Sequence, residues 1–334
     1  MASLTPKKRV FSGIQPSGEL HIGNYLGAVQ NWVKLQSQHD CLFCVVDLHA
    51  ITQAYDPANL SQLTMDMAVS LYAAGLDPAQ CIVFVQSHVQ EHTELNWFFT
   101  AIAPLGELER QTQYKDKAQR QESVQMGILA YPVLQAADVL LYKASLVPVG
   151  EDQVQHLELM REIARRWNAR FDQGGNYFPE PQPLLTKTKR VLGLDGKAKM
   201  SKSLGNTIGL FESPEAIWEK LRPAATDPAR VTRKDPGTPE ICNIYTLHQG
   251  FSPPEVVEEV AVKCRTAGWG CLDCKRKLAD NMIATLTPMR ERAAALKRDP
   301  ESVKAQLRDG AQRARELAQR TVAEVKDKMG FLHG

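Results

Sequence analysis

The sequence predicts an α/β chain, a doubly wound parallel sheet followed by a second, smaller, all-helical region. Three observations carry this expectation. Apolar runs ending at Val10–Phe11 and spanning residues 41–47 (CLFCVVD) and 81–86 (CIVFVQ) each lead into a helical pattern, the alternation that builds a parallel sheet. From about Glu215 no further strand pattern occurs. The 334 residues, 43% apolar and 23% charged, are an ordinary globular mixture long enough for one large domain and a smaller one.

The first strand runs into FSGIQPSGELHIGNYLG, where Gly13, Pro16, Ser17 and Gly18 are turn formers. A helical pattern follows from Gly23 to Gln36, with Leu26, Val29, Val33 and Leu35 near one face. Strand, glycine-bearing loop and helix leave backbone N–H groups free at a helix start, where the dipole favours a phosphate. His21 and Asn24, three apart at that mouth, suit donation to the same anion, although a turn whose glycines serve backbone geometry alone fits equally.

In the second strand Cys41 and Cys44 lie three apart and point to opposite faces, so core packing is favoured over a metal. Asp47, Leu48 and His49 close that strand at its carboxyl end, where open parallel sheets place ligands. A helix over 59–74 should stop at Gly75. Beyond the third strand, a helical stretch over 92–103 leads to GELERQTQYKDK, with Lys115 and Lys117 in polar surroundings.

The segment YPVLQAADVLLY, residues 131–142, is an apolar helix carrying one charge, Asp138. A buried carboxylate needs a partner, and a neighbouring helix start or a structural arginine would each serve. A strand over 146–150 then leads to Glu151, Asp152 and Gln153 opening a helix to about Asn168. Residues 165–183 read as a polar, proline-rich loop before a last short strand near 190–192. Lys199, Met200, Ser201, Lys202 and Ser203 follow between Gly193, Gly196 and Gly205, and two lysines with two hydroxyls on such a loop suit a cluster of phosphate charge. The last helix, 311–329, aligns Ala314, Leu317, Thr321, Val325 and Met329 in one stripe.

The net charge of +2 does not announce a nucleic-acid binder. Local clusters, Lys187, Lys189, Arg190, Lys197, Lys199 and Lys202 in one place and Lys263, Arg265, Lys275, Arg276 and Lys277 in another, fit an RNA partner or a solvated face. No stretch is apolar for long enough to cross a bilayer, and the start MASLTPKKRV has no signal core, so a cytoplasmic chain is expected. Its seven cysteines are therefore read as reduced thiols or metal ligands. Cys242, Cys264, Cys271 and Cys274, separated by 21, 6 and 2 residues, suit a Cys₄ site, with scattered core thiols as the alternative.

HIGN and KMSKS together resemble the HIGH and KMSKS motifs of class I aminoacyl-tRNA synthetases, the second letter for letter and the first except at Asn24. TQYKDK resembles the segment supplying a lysine to the pyrophosphate side of ATP, which singles out Lys115. YPVLQAADVLLY and VPVGEDQ resemble the tryptophanyl-tRNA synthetases, in which the aspartate matching Asp138 accepts the indole N–H. The resemblance runs from Phe11 to about Met329 and implies a Rossmann-like catalytic domain, residues 1–212 with the loop 197–205, and a helical anticodon-binding domain, residues 213–334.

It implies catalytic roles for Lys199, Lys202, Lys115 and His21. ATP would meet Gln15, Pro16, Ser17, Gly23, Asn24, Gly150, Glu151, Asp152 and Val191, together with Lys199, Met200, Ser201, Lys202 and Ser203. Tryptophan would meet Asp138, Tyr131, Gln135, Gln153, His49 and Gln15, although Gln135 stands where many members carry methionine. The implied activity is tryptophan–tRNA ligation with ATP and Mg²⁺ by a homodimer, with tRNA(Trp) as partner. A subset of the family has similar cysteines, the long interval one residue longer, and carries a 4Fe-4S cluster; this implies such a cluster here, with zinc as the alternative. Tyrosyl-tRNA synthetase shares the fold and both motifs, and a non-catalytic RNA-binding iron–sulfur paralogue is a second rival that expects broken nucleotide motifs.

Overall fold

The computed structural model describes residues 7–112, 114–115, 124–150, 154–185 and 191–332. Its centre is a five-stranded sheet in the order β3-β2-β1-β4-β5, parallel throughout. The strands are β1 (Arg9–Ile14), β2 (Asp40–Val45), β3 (Ile82–Val85), β4 (Leu146–Val149) and β5 (Gln182–Leu185). Strand order reverses between β1 and β4, which makes the crevice beyond their carboxyl ends the natural ligand site of such a sheet.

The middle of β1 and all of β2 after Asp40 are buried because helices cover both faces. Cys41, Phe43 and Val45 enter one core, while Leu42, Cys44 and Val46 enter the other. Cys41 and Cys44 therefore point apart as expected. Burial raises the Cys41 thiol to about 12 and Cys44 well above its usual value, so both fill space as protonated thiols.

Beneath one face lie the helix after β1 and Pro57–Ala74. The first of these runs through Ile22–Asn24, a π-wound Tyr25–Val29 and Gln30–Leu35. Pro57–Ala74 begins where the Asp56 side chain accepts the Ala58 N–H at 3.0 Å, and it stops at Gly75 with φ 116°. On the other face pack Glu91–Thr100, Met126–Leu140 and Val154–Phe171.

The fifth strand differs from expectation. It lies at Gln182–Leu185, overlapping the end of the stretch read as loop and several residues before the expected position, whereas Leu192 makes an isolated bridge to Lys199. An edge strand pairs on one side only, so it tolerates Pro183 and shows no continuous apolar run.

From residue 214 onward the chain is helical, ending in Cys271–Arg298 and Pro300–Met329. The last helix starts at Pro300, capped by Asp299, and is longer than the apolar stripe suggested. Leu278, Met282 and Leu286 join the core beneath one face of the sheet, and Ala314, Ala318 and Val325 join the other.

Pro300–Met329 approaches β3 closely at Gly310, where a Cβ would land inside the van der Waals shell of the Val83 carbonyl oxygen. A strand backbone cannot step aside as a flexible side chain would. Gly310→Ala should destabilise the fold by about 1–3 kcal/mol, the usual cost of overpacking, seen as a lowered thermal midpoint. A melt matching that of the parent chain would refute this docking.

Candidate active site

The switch-point crevice is formed by the loop after β1, the start of the following helix and the loop at 199–203. His21 caps that helix: its Nδ1 accepts the Gly23 and Asn24 N–H groups at 3.1 and 3.3 Å, while the Asn24 side-chain oxygen accepts the His21 N–H at 3.4 Å. The reciprocal bonds make a capping box from residue types other than the usual ones. Nδ1 is thus occupied as an acceptor, and Nε2 is the ring nitrogen that can offer a proton. His21 is lowered to about 4, first by burial and then by Lys202 and Lys199, so the ring is neutral at pH 7.

The distant loop closes onto this corner. Ile22 N–H donates to the Ile208 carbonyl and Leu210 N–H to the Leu20 carbonyl, both at 2.9 Å. Lys202 Nζ donates to the Ser17 carbonyl at 2.7 Å. Gly18, at φ 80°, permits this approach, since a Cβ there would sit 3.3 Å from that ammonium. Met200 is buried, with its N–H 3.4 Å from the Val191 carbonyl, and Ser201 and Ser203 hydroxyls are 2.9 Å apart. His21, Gly23, Asn24, Ser17, Met200 and Lys202 therefore share one corner.

Asn206 was not singled out by sequence, yet it holds the loop. Its oxygen accepts the Ser201 N–H at 2.8 Å, and its nitrogen donates to Asp195 at 3.1 Å and to the Lys199 carbonyl at 3.4 Å. Only its place beside Gly205, where a side chain can cap a turn, hinted at this.

A second cluster lies around Asp138, which is 2% exposed, just past the carboxyl ends of β2 and β3. Among the described residues no arginine pairs with it. Instead Oδ1 accepts Gln86 Nε2 at 2.6 Å and His92 Nδ1 at 2.7 Å, while Oδ2 accepts His49 Nε2 at 2.7 Å. Burial pushes the carboxyl up, but His49 and His92 outweigh it and hold Asp138 below the usual carboxylate range. Tyr131 stands edge-on to His49, ring centroids 6.3 Å apart, and its hydroxyl meets His156 Nε2 at 3.0 Å. Gln135 shares the helix with Asp138 and is half-buried.

Other expected residues are placed less tellingly. Gln15 and Gly150 are exposed at the ends of β1 and β4, with Pro16 buried beside Gln15. Lys115 is exposed, and among the described residues its contacts do not reach the 199–203 loop. Glu151, Asp152 and Gln153 lie outside the described residues, as do Lys117, Lys187, Lys189 and Arg190. The second basic cluster is largely structural: Lys275 is buried against the Arg222 carbonyl at 2.8 Å, and Arg276 stacks over Trp218 at 3.4 Å. Arg265 pairs with Glu240.

Cys242, Cys264, Cys271 and Cys274 line one small cavity of about 20 Å³ with Ile244, Val260, Trp269 and Arg230. Burial and then the other three thiols push Cys274 up to about 12. Among the described residues no three His, Cys, Asp or Glu side chains are grouped to hold a metal ion.

Residues 4–287 match the family model "tRNA synthetases class I (W and Y)". A tryptophan–tRNA ligase of Deinococcus radiodurans is 56% identical over 329 residues, covering 97% of this chain and 99% of its own length. That of Thermotoga maritima is 43% identical over 330 residues, covering 97% and 99%. The structure of tryptophanyl-tRNA synthetase from Campylobacter jejuni complexed with ADP and tryptophan superimposes with TM-score 0.85 at 35% identity, covering 97% of this chain and 100% of that one.

Folded protein binds this proton more weakly than the unfolded chain, so between pH 6.5 and about 4 acidification removes the stability that neutral His21 contributes. A histidine NMR titration should find the His21 midpoint near 4, and Lys202→Met should raise it part of the way towards 6.5, because burial remains. A midpoint near 6.5 in the parent chain would contradict the corner described here.

Proposed function

Because the chain belongs to the tryptophanyl-tRNA synthetases, the class I ligases that join tryptophan to tRNA with ATP, we propose that its switch-point crevice holds ATP above and tryptophan below. Gln15, Pro16, Ser17, Gly23 and Asn24 would cradle the phosphates, with neutral His21 offering its Nε2 proton. Gly150, Glu151, Asp152, Val191 and Met200 would bound the nucleoside, and Ser201 and Ser203 would line the phosphate side. Asp138, His49, Tyr131, Gln135 and Gln153 would hold the amino acid, joined by Gln15 at its carboxylate end.

In the first step a tryptophan carboxylate oxygen attacks the α-phosphorus in line; the bond to the bridging oxygen breaks, and pyrophosphate leaves with the electron pair. No group of the protein is covalently altered, so catalysis is positioning and stabilisation of developing charge. Lys199, Lys202 and Lys115 would take up charge on the departing pyrophosphate. Mg²⁺, arriving with ATP, shares that charge when bound. A ribose hydroxyl at the tRNA end then attacks the acyl carbon of the adenylate and AMP leaves.

The observation that carries this reading is the Lys202–Ser17 bond of 2.7 Å, which brings the two loops together at the strand-order reversal. Purified protein should exchange pyrophosphate into ATP with tryptophan and not with tyrosine. Lys202→Met should slow that exchange by roughly 10²–10³-fold, the scale for losing one preorganised transition-state contact, while tryptophan KM changes little. Tyrosine-driven exchange, or an unaffected variant, would overturn it.

We propose further that residues 1–212 form the catalytic unit and 213–334 the anticodon-reading one, supported by the end of the strand pattern before the second. Large exposed side chains at Trp97, Leu105 and Met126 support a homodimer, working in the cytoplasm. Among the described residues no helix is long and apolar enough to cross a membrane.

Cys242, Cys264, Cys271 and Cys274 would hold a 4Fe-4S cluster, or zinc, as a structural group. Four thiols around one cavity support this, as does Arg230, whose guanidinium is 4.0 Å from Cys264 Sγ and would offset thiolate charge. Anaerobically prepared protein should contain about four irons and four sulfides per chain, lost in Cys271→Ser. One zinc instead would establish the alternative, and neither metal would refute the site.

A further inference from the structure

The network around Asp138 extends one residue further than substrate contact requires. His92, fully buried, places Nδ1 at 2.7 Å from Asp138 Oδ1 and Nε2 at 2.8 Å from the Tyr142 hydroxyl. We propose that His92 and Tyr142 are positioning residues which, with Gln86, saturate one oxygen of Asp138 and so leave a single acceptor position for the ring N–H of the amino acid. This rests on the assignment of Asp138 as the indole acceptor.

An ionised carboxylate has about four acceptor positions and no proton. Among the described residues, Oδ1 is filled by Gln86 and His92, and Oδ2 holds His49 alone. The remaining position is therefore on Oδ2, the oxygen beside His49 and hence on the side of Tyr131.

Each donor on Oδ1 is itself fixed. The Gln86 carboxamide accepts the Leu48 N–H through its oxygen at 3.2 Å, which sets its NH₂ towards Asp138. Because the carboxylate can only accept, His92 Nδ1 carries the proton. Tyr142 keeps its own proton, since burial raises it well above the usual phenol range, so its hydroxyl donates to Nε2. Tyr142 is in turn held by Phe11 of β1, stacked at 5.6 Å and 11°, and by Phe84 of β3, edge-on at 5.8 Å. The chain from sheet core to carboxylate thus reads Tyr142 O–H to His92 Nε2, then His92 Nδ1–H to Asp138.

Removing the His92 donor would empty one position on Oδ1. The carboxylate would then be free to rotate, or to take a proton and act as donor, and in either case a ring without an N–H would be less strongly rejected.

The test compares tryptophan with its benzothiophene isostere, which lacks the N–H, in pyrophosphate exchange by the full-length protein. His92→Leu should raise tryptophan KM and shrink the preference for tryptophan over the isostere, each by roughly tenfold or more, with ATP KM unchanged. His92→Asn, whose amide nitrogen replaces Nδ1, should restore most of the preference. A merely structural role would make the smaller Asn at least as damaging as Leu. Tyr142→Phe, which removes one oxygen, should lower the preference in the same direction by less, and it serves if His92→Leu does not fold. An undiminished preference in His92→Leu, or in Tyr142→Phe where the former does not fold, or equal damage from Leu and Asn, overturns the proposal. Asp138→Asn separates the two layers: if it leaves the preference intact the underlying assignment fails, whereas if it alone abolishes the preference only the role of His92 fails.

Discussion

Everything at this crevice depends on a closure between two backbone segments far apart in the chain. Residues 20–22 and 208–210 bond to each other through Ile22 and Leu210, as edges of neighbouring strands would. Closing so long a loop costs chain entropy. The core that Ile22 shares with Met200, Ile208 and Leu210 offsets it. With that pairing in place, Lys202 reaches the Ser17 carbonyl and His21 is desolvated next to two lysines. The neutrality of His21 is thus a consequence of closure. A protonated imidazole between Lys199 and Lys202 would repel both.

The buried carboxylate follows a different logic. Asp138 would cost several kcal/mol if left unpaired. A bidentate arginine would have taken one position on each oxygen and left one open on each, so no single direction of approach would be defined. Two imidazoles and an amide each take one position instead. The charge is stabilised by separate donors supplied from three elements: the end of β2, the end of β3 and the helix Glu91–Thr100. Such a set satisfies most of the carboxylate while keeping its direction of approach defined.

This division explains what was legible in the sequence. Local signals survived: the glycine loop after β1, Gly75 as a helix stop, the opposite facing of Cys41 and Cys44, and Asp138 as a lone charge in an apolar helix. Signals that need tertiary placement did not. Gln86 and His92 are 52 and 46 residues from Asp138 and carry no local mark of that contact. β5 was missed because an edge strand lacks the continuous apolar run that betrays a central one. Lys275 and Arg276 looked like part of a basic face, yet one is buried on a carbonyl and the other lies over an indole. Counting charges along a chain cannot tell a snorkelling cation from a free one.

β3 links the helical region to the buried carboxylate. Its Val83 backbone receives Pro300–Met329 at Gly310, and one step past its last residue stands Gln86, which grips Asp138. Val83 and Gln86 are separated by two residues of the same buried strand end, where close packing leaves little slack. The last helix is therefore seated against the strand that positions the carboxylate. A sheet that had to carry only the nucleotide loop would need β1 and β4 alone at its switch point. The outer strand β3 serves instead as a rigid shelf between the helical region and the amino-acid side of the crevice, so the seating of that helix and the aim of Gln86 are set by one piece of backbone.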